Sequence, residues 1–225
     1  MLNIAKHDII LKQILRDIYT NPLLQGQLIF KGGTCLYIFY DLKRFSTDLD
    51  FDTRVDSLAQ EEVTNILAKY TTVEDFSSKR YTWFWLGSYE KGLQKIKIEV
   101  SKRHFPNKFV NNNYYGMVVP VLSPECMFAH KLCAITERKK LQNRDLFDSW
   151  FMFNKQWEPD ETILKVRTGK SKIDYYKLLI DYIKKNTAST SILSGLGEVL
   201  DSKQKNWVKE HLLDDLLFQL NIRIK

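Results

Sequence analysis

The sequence predicts an α/β (α+β) protein in two parts, a mixed sheet-and-helix core over residues 1–122 and a helical bundle over residues 123–225. Three observations predict it. Apolar residues recur at helical spacing in residues 3–20 and again in several segments after Ser123. Aromatic and β-branched residues, several alternating with polar ones, fill the stretch from Tyr81 to Val100. At Ser123-Pro124-Glu125 the strand signals cease: a capping hydroxyl, a proline suited to a first helical turn, then an acid near the positive helix end.

The elements follow in order. Ile4, Ile10, Leu11, Ile14, Leu15 and Ile18 form one face of a helix that Asn21-Pro22 ends. Leu28-Ile29-Phe30 reads as a buried strand, broken by Gly32-Gly33, and Leu36, Tyr37, Phe39 and Tyr40 fit a short helix from Thr34 to Tyr40. Leu49 to Asp52 alternate as a strand, and Ser57 is placed to cap a helix through Tyr70 with Glu61 and Glu62 near its start. Tyr81–Tyr89 and Leu93–Val100 read as paired strands with Gly92 in the turn between them. In the second of these, Ile96, Ile98 and Val100 face one way, and Lys95, Lys97 and Glu99 the other. Asn111–Asn113 reads as a loop and Tyr115–Val121 as a last strand. Beyond it, residues 125–138, 144–155, 159–168, 173–186, 191–200 and 203–221 read as helices.

Composition narrows the function. A chain of 225 residues, 44% hydrophobic and 27% charged, has the make-up of an ordinary globular protein. No stretch approaches the roughly 20 apolar residues of a membrane span, and residues 1–12 lack the apolar core of a signal peptide. Cys35, Cys126 and Cys133 form no CxxC pair and read as buried thiols in a reducing cytoplasm. His7, His104, His130 and His211 lack zinc-ligand spacing. A net charge of +7 favours polyanionic partners such as nucleotides or nucleic acid. That charge is spread evenly, with 16 Lys+Arg against 13 acids in residues 1–122 and 18 against 14 in residues 123–225, so there is no basic tail.

Chemistry concentrates in Lys31-Gly32-Gly33-Thr34 and, fourteen residues beyond Thr34, Asp48-Leu49-Asp50-Phe51. On a strand Asp48 and Asp50 project to one face, their backbones about 7 Å apart, and like charges so held call for a reason. A divalent cation supplies one. Nucleotidyl transfer needs a hydroxyl made nucleophilic beside an α-phosphate, and two Mg²⁺ ions about 4 Å apart can serve both ends of that displacement. Magnesium needs only two or three carboxylates, here Asp48, Asp50 and, from a neighbouring strand, Glu99. Asp52 continues the row at the strand's end. Gly32 and Gly33 let the backbone approach a phosphate, the following helix aims free N–H groups at it, and Thr34 adds a hydroxyl. Taken singly, a Gly-Gly-Thr is a turn and DLDFD a polar strand end; in strand–turn–helix–strand order they point to a triphosphate site.

A second cluster lies in the helical half. Lys131, between Phe128-Ala129 and Leu132-Cys133, either snorkels at a helix edge or neutralises a β- or γ-phosphate. Asp145 and Asp148, three apart on a helix, either pair with Arg144, Lys140 or Lys139, or orient Lys131 and act on the incoming hydroxyl. Lys165, Arg167, Lys170, Lys172, Lys184 and Lys185 read as a solvated face; interleaved with Tyr175, Tyr176 and Tyr182, they are alternatively a track for an RNA backbone with rings for base stacking. Tyr81, Trp83, Phe84 and Trp85 read as sheet core.

The glycine turn and the Asp-x-Asp strand resemble the polymerase-β-like nucleotidyltransferase superfamily. More narrowly, KGGTCLYIFYDLKRFSTDLDFD resembles the AbiEii/AbiGii nucleotidyltransferase toxins, with Arg44-Phe45-Ser46 matching that family's Arg-x-Ser segment. Lys131 in PECMFAHKLCAI, the basic run Arg138-Lys139-Lys140 and Arg144-Asp145-Leu146-Phe147-Asp148 match its later motifs, so the likeness covers roughly residues 28–153. It implies a polymerase-β-like core and an NTP-dependent transferase with Mg²⁺ as cofactor. Asp48, Asp50, Lys131 and Asp145 would then be catalytic, with Asp48, Asp50 and Glu99 on the metal. Gly32, Gly33, Thr34, Arg44, Ser46 and Lys131 would hold the nucleotide. It further implies the toxin of a toxin–antitoxin or abortive-infection pair acting on RNA, tRNA foremost, with a cognate antitoxin and no membrane partner. The alternatives are transfer to a protein or to a small molecule such as an antibiotic, a non-catalytic binding module, and a structural interaction protein.

Overall fold

The computed structural model describes residues 2–92, 94–187 and 192–224. The chain divides into two compact units, Met1–His104 with Lys108–Leu122, and Phe105–Asn107 with Ser123–Lys225.

The first unit holds α1 (Ile4–Thr20), β1 (Leu28–Lys31), α2 (Gly32–Tyr40), β2 (Asp48–Thr53), α3 (Gln60–Ala68), β3 (Thr72–Lys79), β4 (Thr82–Tyr89), β5 (Gln94–Ser101), β6 (Phe109–Tyr114) and β7 (Met117–Leu122). The strands form one mixed sheet in the order β3-β4-β5-β2-β1-β7-β6. β2 runs parallel to β5, and β1 to β7; the remaining neighbours are antiparallel.

Alternation along β2 decides what each face of the sheet carries. Leu49 and Phe51 are buried, and Phe51 meets Tyr19 of α1 (ring centroids 6.3 Å) and Phe30 of β1 (5.3 Å). Phe39 of α2 packs on Phe30, and Trp85 of β4 donates its indole N–H to Thr64 Oγ1 of α3 at 2.9 Å. All three helices of the unit therefore pack on this one face, where each buried large apolar side chain contributes about 1.5–3 kcal/mol. The opposite face carries Asp48, Asp50 and Asp52, continued in register by Lys97, Glu99 and Ser101 of β5.

Several expectations change. Gly32 and Gly33 are the first turn of α2 itself, because β1 passes into the helix with no intervening loop. α3 begins at Gln60 behind Ala59, which has no side-chain cap, so Ser57 lies outside it. Asn111–Asn113 belong to β6, and β3 arises where no strand was expected. Leu93, the expected start of β5, lies outside the described residues.

In the second unit, α4 (Pro124–Glu137), α5 (Asn143–Asn154), α6 (Glu161–Thr168), α7 (Lys172–Asn186) and α8 (Ser202–Ile222) pack around Phe128, Phe153 and Tyr176. Side-chain caps set the helix starts: Ser123 accepts from Cys126 N–H, Asp160 from Ile163 N–H and Ser171 from Asp174 N–H, and Asp201 and Gln204 form a reciprocal capping box. Gly169, at φ 71°, stops α6 in the left-handed conformation that glycine adopts without strain. Residues 192–199, expected as helix, form turns; Gly195 there has φ 73°. Ser191, the first residue of that expected helix, lies outside the described residues. Tyr175 and Tyr176 are buried, so they are core rather than rings for stacking on bases. Lys172 pairs with Glu158 and Glu161 as on a solvated face, whereas Arg167, expected there too, is largely buried, pairing with Glu137 and lying over the Phe105 ring. Phe105–Asn107 joins this unit through His130, whose Nε2 donates to Asn107 Oδ1 at 2.8 Å while Nδ1 accepts from Arg167 Nη1 at 2.6 Å. Tyr81 is the exposed member of the aromatic run expected in the sheet core; Trp83 and Trp85 are buried and Phe84 is half-buried.

Candidate active site

Asp50 occupies the centre of the carboxylate-bearing face. It is the register partner of Lys31 on one side and Glu99 on the other. Gly32, at φ 81°, brings the start of α2 directly over it: a Cβ on Gly32 would lie 2.9 Å from Asp50 Cβ and closer still to its carboxylate. No L-residue with a side chain fits that position without displacing the acid. A Cβ on Gly33 would lie 2.7 Å from both Arg44 Nη2 and Ser46 Oγ. The two glycines thus form a cradle closed by Asp50 on one side and by the Arg44-Phe45-Ser46 segment on the other.

Arg44 and Ser46 are buried, and Arg44 Nη1 donates to the Phe45 carbonyl at 2.9 Å. Both therefore act on the glycine turn from behind. Thr34 departs from expectation. Its side chain is 1% exposed and its hydroxyl donates to the main-chain carbonyl of Asp48. The threonine ties α2 to the start of β2, so its oxygen is committed to the backbone rather than offered to a phosphate.

Asp48 is half-buried, with Lys97 Nζ 3.8 Å from its Oδ2. Lys31 pairs with Asp52, which takes the last carboxylate of the row out of play. Asp50 raises the neighbouring Cys35 thiol, which burial already pushes well above its usual range. Glu99 is exposed beside Asp50. Among the described residues no trio of His, Cys, Asp or Glu is gathered into a complete metal cage. The donor chemistry still suits a hard cation: carboxylate oxygens on one sheet face, beside a backbone cradle that a single Cβ would fill. Mg²⁺ ordinarily takes one or two protein carboxylates and completes its shell with water and substrate phosphates.

His7 was not singled out from the sequence. It is fully buried on α1, with Nε2 donating to the Thr47 carbonyl at 3.0 Å and Nδ1 accepting from Tyr89 Oη at 2.6 Å. A carbonyl only accepts, which fixes the tautomer. Burial pushes its pKa down, opposed by the Thr47 carbonyl and the Asp48 charge. His7 fastens the residue before Asp48 to both α1 and the end of β4. The signal was its spacing: His7, Ile10, Leu11 and Ile14 share one helix face.

In the second unit, Lys131 Nζ lies 2.8 Å from Asp145 Oδ1 and 2.9 Å from Asp148 Oδ2, and Arg138 Nε lies 2.8 Å from Asp145 Oδ2. The partners of the two aspartates are thus Lys131 and Arg138 rather than Arg144, Lys139 or Lys140. Both carboxylates are buried and Lys131 is nearly so, which holds the ammonium in one place. Elsewhere in the unit, burial raises the Cys133 thiol to about 11, and the three cysteines are free and buried. Among the described residues no helix is long and apolar enough to cross a membrane.

A family model described as the nucleotidyl transferase AbiEii toxin of Type IV TA systems matches residues 13–191. No curated protein matches the chain. Among solved structures, the chain is similar to a candidate nucleotidyltransferase from H. pylori, with a TM-score of 0.63 and 22% identity, covering 100% of this chain and 96% of that one. It is also similar to JHP933 from Helicobacter pylori, with a TM-score of 0.62 and 20% identity, covering 100% and 93%. At these identities the two structures establish a shared fold.

Proposed function

The chain belongs to the AbiEii nucleotidyl transferase toxin family, and from that premise we propose that it moves a nucleotide from a nucleoside triphosphate to a hydroxyl of RNA, tRNA foremost, with Mg²⁺ held by Asp48, Asp50 and Glu99. The acceptor oxygen bonds to the α-phosphorus, the bond from that phosphorus to the bridging oxygen breaks, pyrophosphate leaves and the hydroxyl proton passes to solvent. The cation, when bound, would lower the charge on the reacting phosphate. The protein's own part is placement. Asp48 and Asp50 present oxygens from one sheet face, and Gly32 and Gly33 admit a phosphate to the backbone N–H groups at the start of α2. Arg44 and Ser46 hold that turn from behind, and Thr34 holds the strand. Lys131, oriented by Asp145 and Asp148, keeps the role that the resemblance implies, neutralising the triphosphate. A cognate antitoxin and a cytoplasmic site of action belong to the same reading.

The observation that carries it is the approach of Gly32 to Asp50, a gap one Cβ would close. The test is to incubate the purified protein with each nucleotide labelled at the α-phosphate, Mg²⁺ and total RNA, beside Asp48→Asn/Asp50→Asn. Label on RNA, reduced at least about a thousandfold in the double variant, is the expected result. Label that persists in the variant overturns the metal assignment. Label on protein instead of RNA moves the acceptor.

A further inference from the structure

Beyond Glu99 the same sheet face runs on into a surface that the transfer chemistry does not use. Phe84 of β4 is the register partner of Glu99, and Thr82 that of Ser101. Ser77 and Lys79 of β3 are in turn opposite Phe84 and Thr82. All of these project to the side of Asp48 and Asp50, away from the unit's three helices. Lys79 Nζ lies 5.9 Å from the centroid of the half-buried Phe84 ring.

At the end of these strands, around the β3–β4 turn, cations gather on aromatic rings. The Tyr81 ring, 44% exposed, has the Arg80 guanidinium 4.9 Å from its centroid and that of Arg103 at 5.2 Å. Lys102 Nζ stands 4.8 Å from the Trp83 centroid. The β3–β4 turn is fastened to the end of β5 by a hydrogen bond from Lys102 N–H to the Tyr81 carbonyl at 2.9 Å, so the rings and cations are built on sheet backbone. Among the described residues, none of Lys79, Arg80, Lys102 and Arg103 forms an ion pair with a carboxylate; the pair found at this end is His104 with Asp56 at 4.0 Å. Elsewhere on the unit, Lys6, Lys12, Arg16, Lys69 and Lys95 each pair with an acid. Four cations held together without counter-charge, spaced by rings, fit a flexible polyanion with planar groups. Single-stranded nucleic acid is that chemistry.

We infer that Lys79, Arg80, Tyr81, Lys102 and Arg103 form a docking surface for single-stranded RNA that leads the acceptor strand toward the carboxylates of β2; this rests on the RNA-transfer reading above. Ser101, the last residue of β5, lies two residues beyond Glu99 on the same face, about 7 Å along the strand, and Lys102 and Arg103 follow it. That is a short step for an RNA whose end is at Asp50. The cations bind phosphates, and Tyr81 offers a face on which a base stacks without regard to sequence.

The test uses the full-length protein, a fluorescein-labelled single-stranded RNA oligonucleotide and anisotropy across a salt series. Arg80→Glu/Arg103→Glu is expected to weaken binding at least tenfold, roughly, and to lower the slope of log affinity against log salt by about 0.7 per lost phosphate contact. Tyr81→Ala is expected to weaken it about five- to a hundredfold with the slope unchanged. Arg80→Lys/Arg103→Lys is expected to keep the slope. Melting temperature and NTP affinity should stay at wild-type values, because these side chains are exposed. Unchanged RNA affinity in the Glu variant overturns the inference, and so does a slope lost in the Lys variant. Antitoxin binding lost in the Glu variant with RNA affinity intact overturns it in favour of a protein partner. RNA bound through these side chains but never labelled sinks the transfer reading and leaves this one standing. RNA labelled at wild-type KM by the Glu variant does the reverse.

Discussion

Asp48 and Asp50 stand two residues apart on a strand, Asp145 and Asp148 three apart on a helix, and each pair shares one side of its element. Their surroundings are opposed. The helix pair is buried and clasped by Lys131, with Arg138 on the outer oxygen. The strand pair is half-buried, with Lys97 3.8 Å from Asp48, and close packing at the start of α2 braces it as well: Gly32 lies over Asp50 and the Thr34 hydroxyl donates to the Asp48 carbonyl. The buried helix pair holds the Lys131 ammonium in one orientation. The strand pair is more open to solvent, where a cation that arrives can reach it.

That contrast can be broken most severely at Lys131. Lys131→Met removes the ammonium that both buried carboxylates share, and a loss of about 3–5 kcal/mol is expected by urea unfolding. Asp48→Asn, the matching removal of charge on the strand, should change stability by less than about 1 kcal/mol, since its partner is distant and solvated. Equal losses at the two positions would dissolve the distinction.

Gly32→Ala comes next. It places a methyl group against the Asp50 carboxylate at φ 81°, with an expected cost of about 1–2 kcal/mol and, by displacing Asp50, a fall in transfer well beyond that of a merely destabilised enzyme, read as kcat at saturating NTP. Thr34→Val then separates bracing from substrate contact. Loss of one hydrogen bond predicts about 1 kcal/mol of stability with KM for NTP unchanged, whereas a hydroxyl that touches phosphate would raise KM.

The smallest effect is a pH dependence from His7. Burial holds its folded pKa below the ordinary 6.5, so below that pH the unfolded chain binds more protons than the folded one. Stability is then fully present above pH 6.5 and declines as pH falls toward the folded value. His7→Gln should flatten that slope in thermal melts between pH 5 and pH 7, roughly, a window set by the usual histidine range.

Much of this was legible in the sequence, and what was missed has a common cause. β2 and β5 announced themselves because one face of each is buried, which forces alternation. β3 and β6 did not, and they are the two edges of the sheet. β3, mostly exposed, has no apolar side to repeat, and the three asparagines of β6 read as a loop because an edge strand can leave polar side chains in water. The Gly-Gly cradle and the Asp-x-Asp strand were visible as spacing. The direction of the Thr34 hydroxyl and the burial of Arg44 and Ser46 were not, since both depend on how α2 sits on β2. The expected helix over 191–200 shows the converse error: Ile192, Leu196, Val199 and Leu200 are buried at helix-like intervals, yet Gly195 turns the chain left-handed among them.

The passage of Phe105–Asn107 into the second unit, before Lys108–Leu122 completes the sheet of the first, has a consequence for dissection of the molecule. No single scissile point yields two intact halves: cutting after Leu122 strips the helical fragment of the tripeptide that satisfies His130, and cutting after His104 deprives the sheet of β6 and β7. Neither fragment expressed alone should therefore reach the stability of its unit in the whole chain, at either junction.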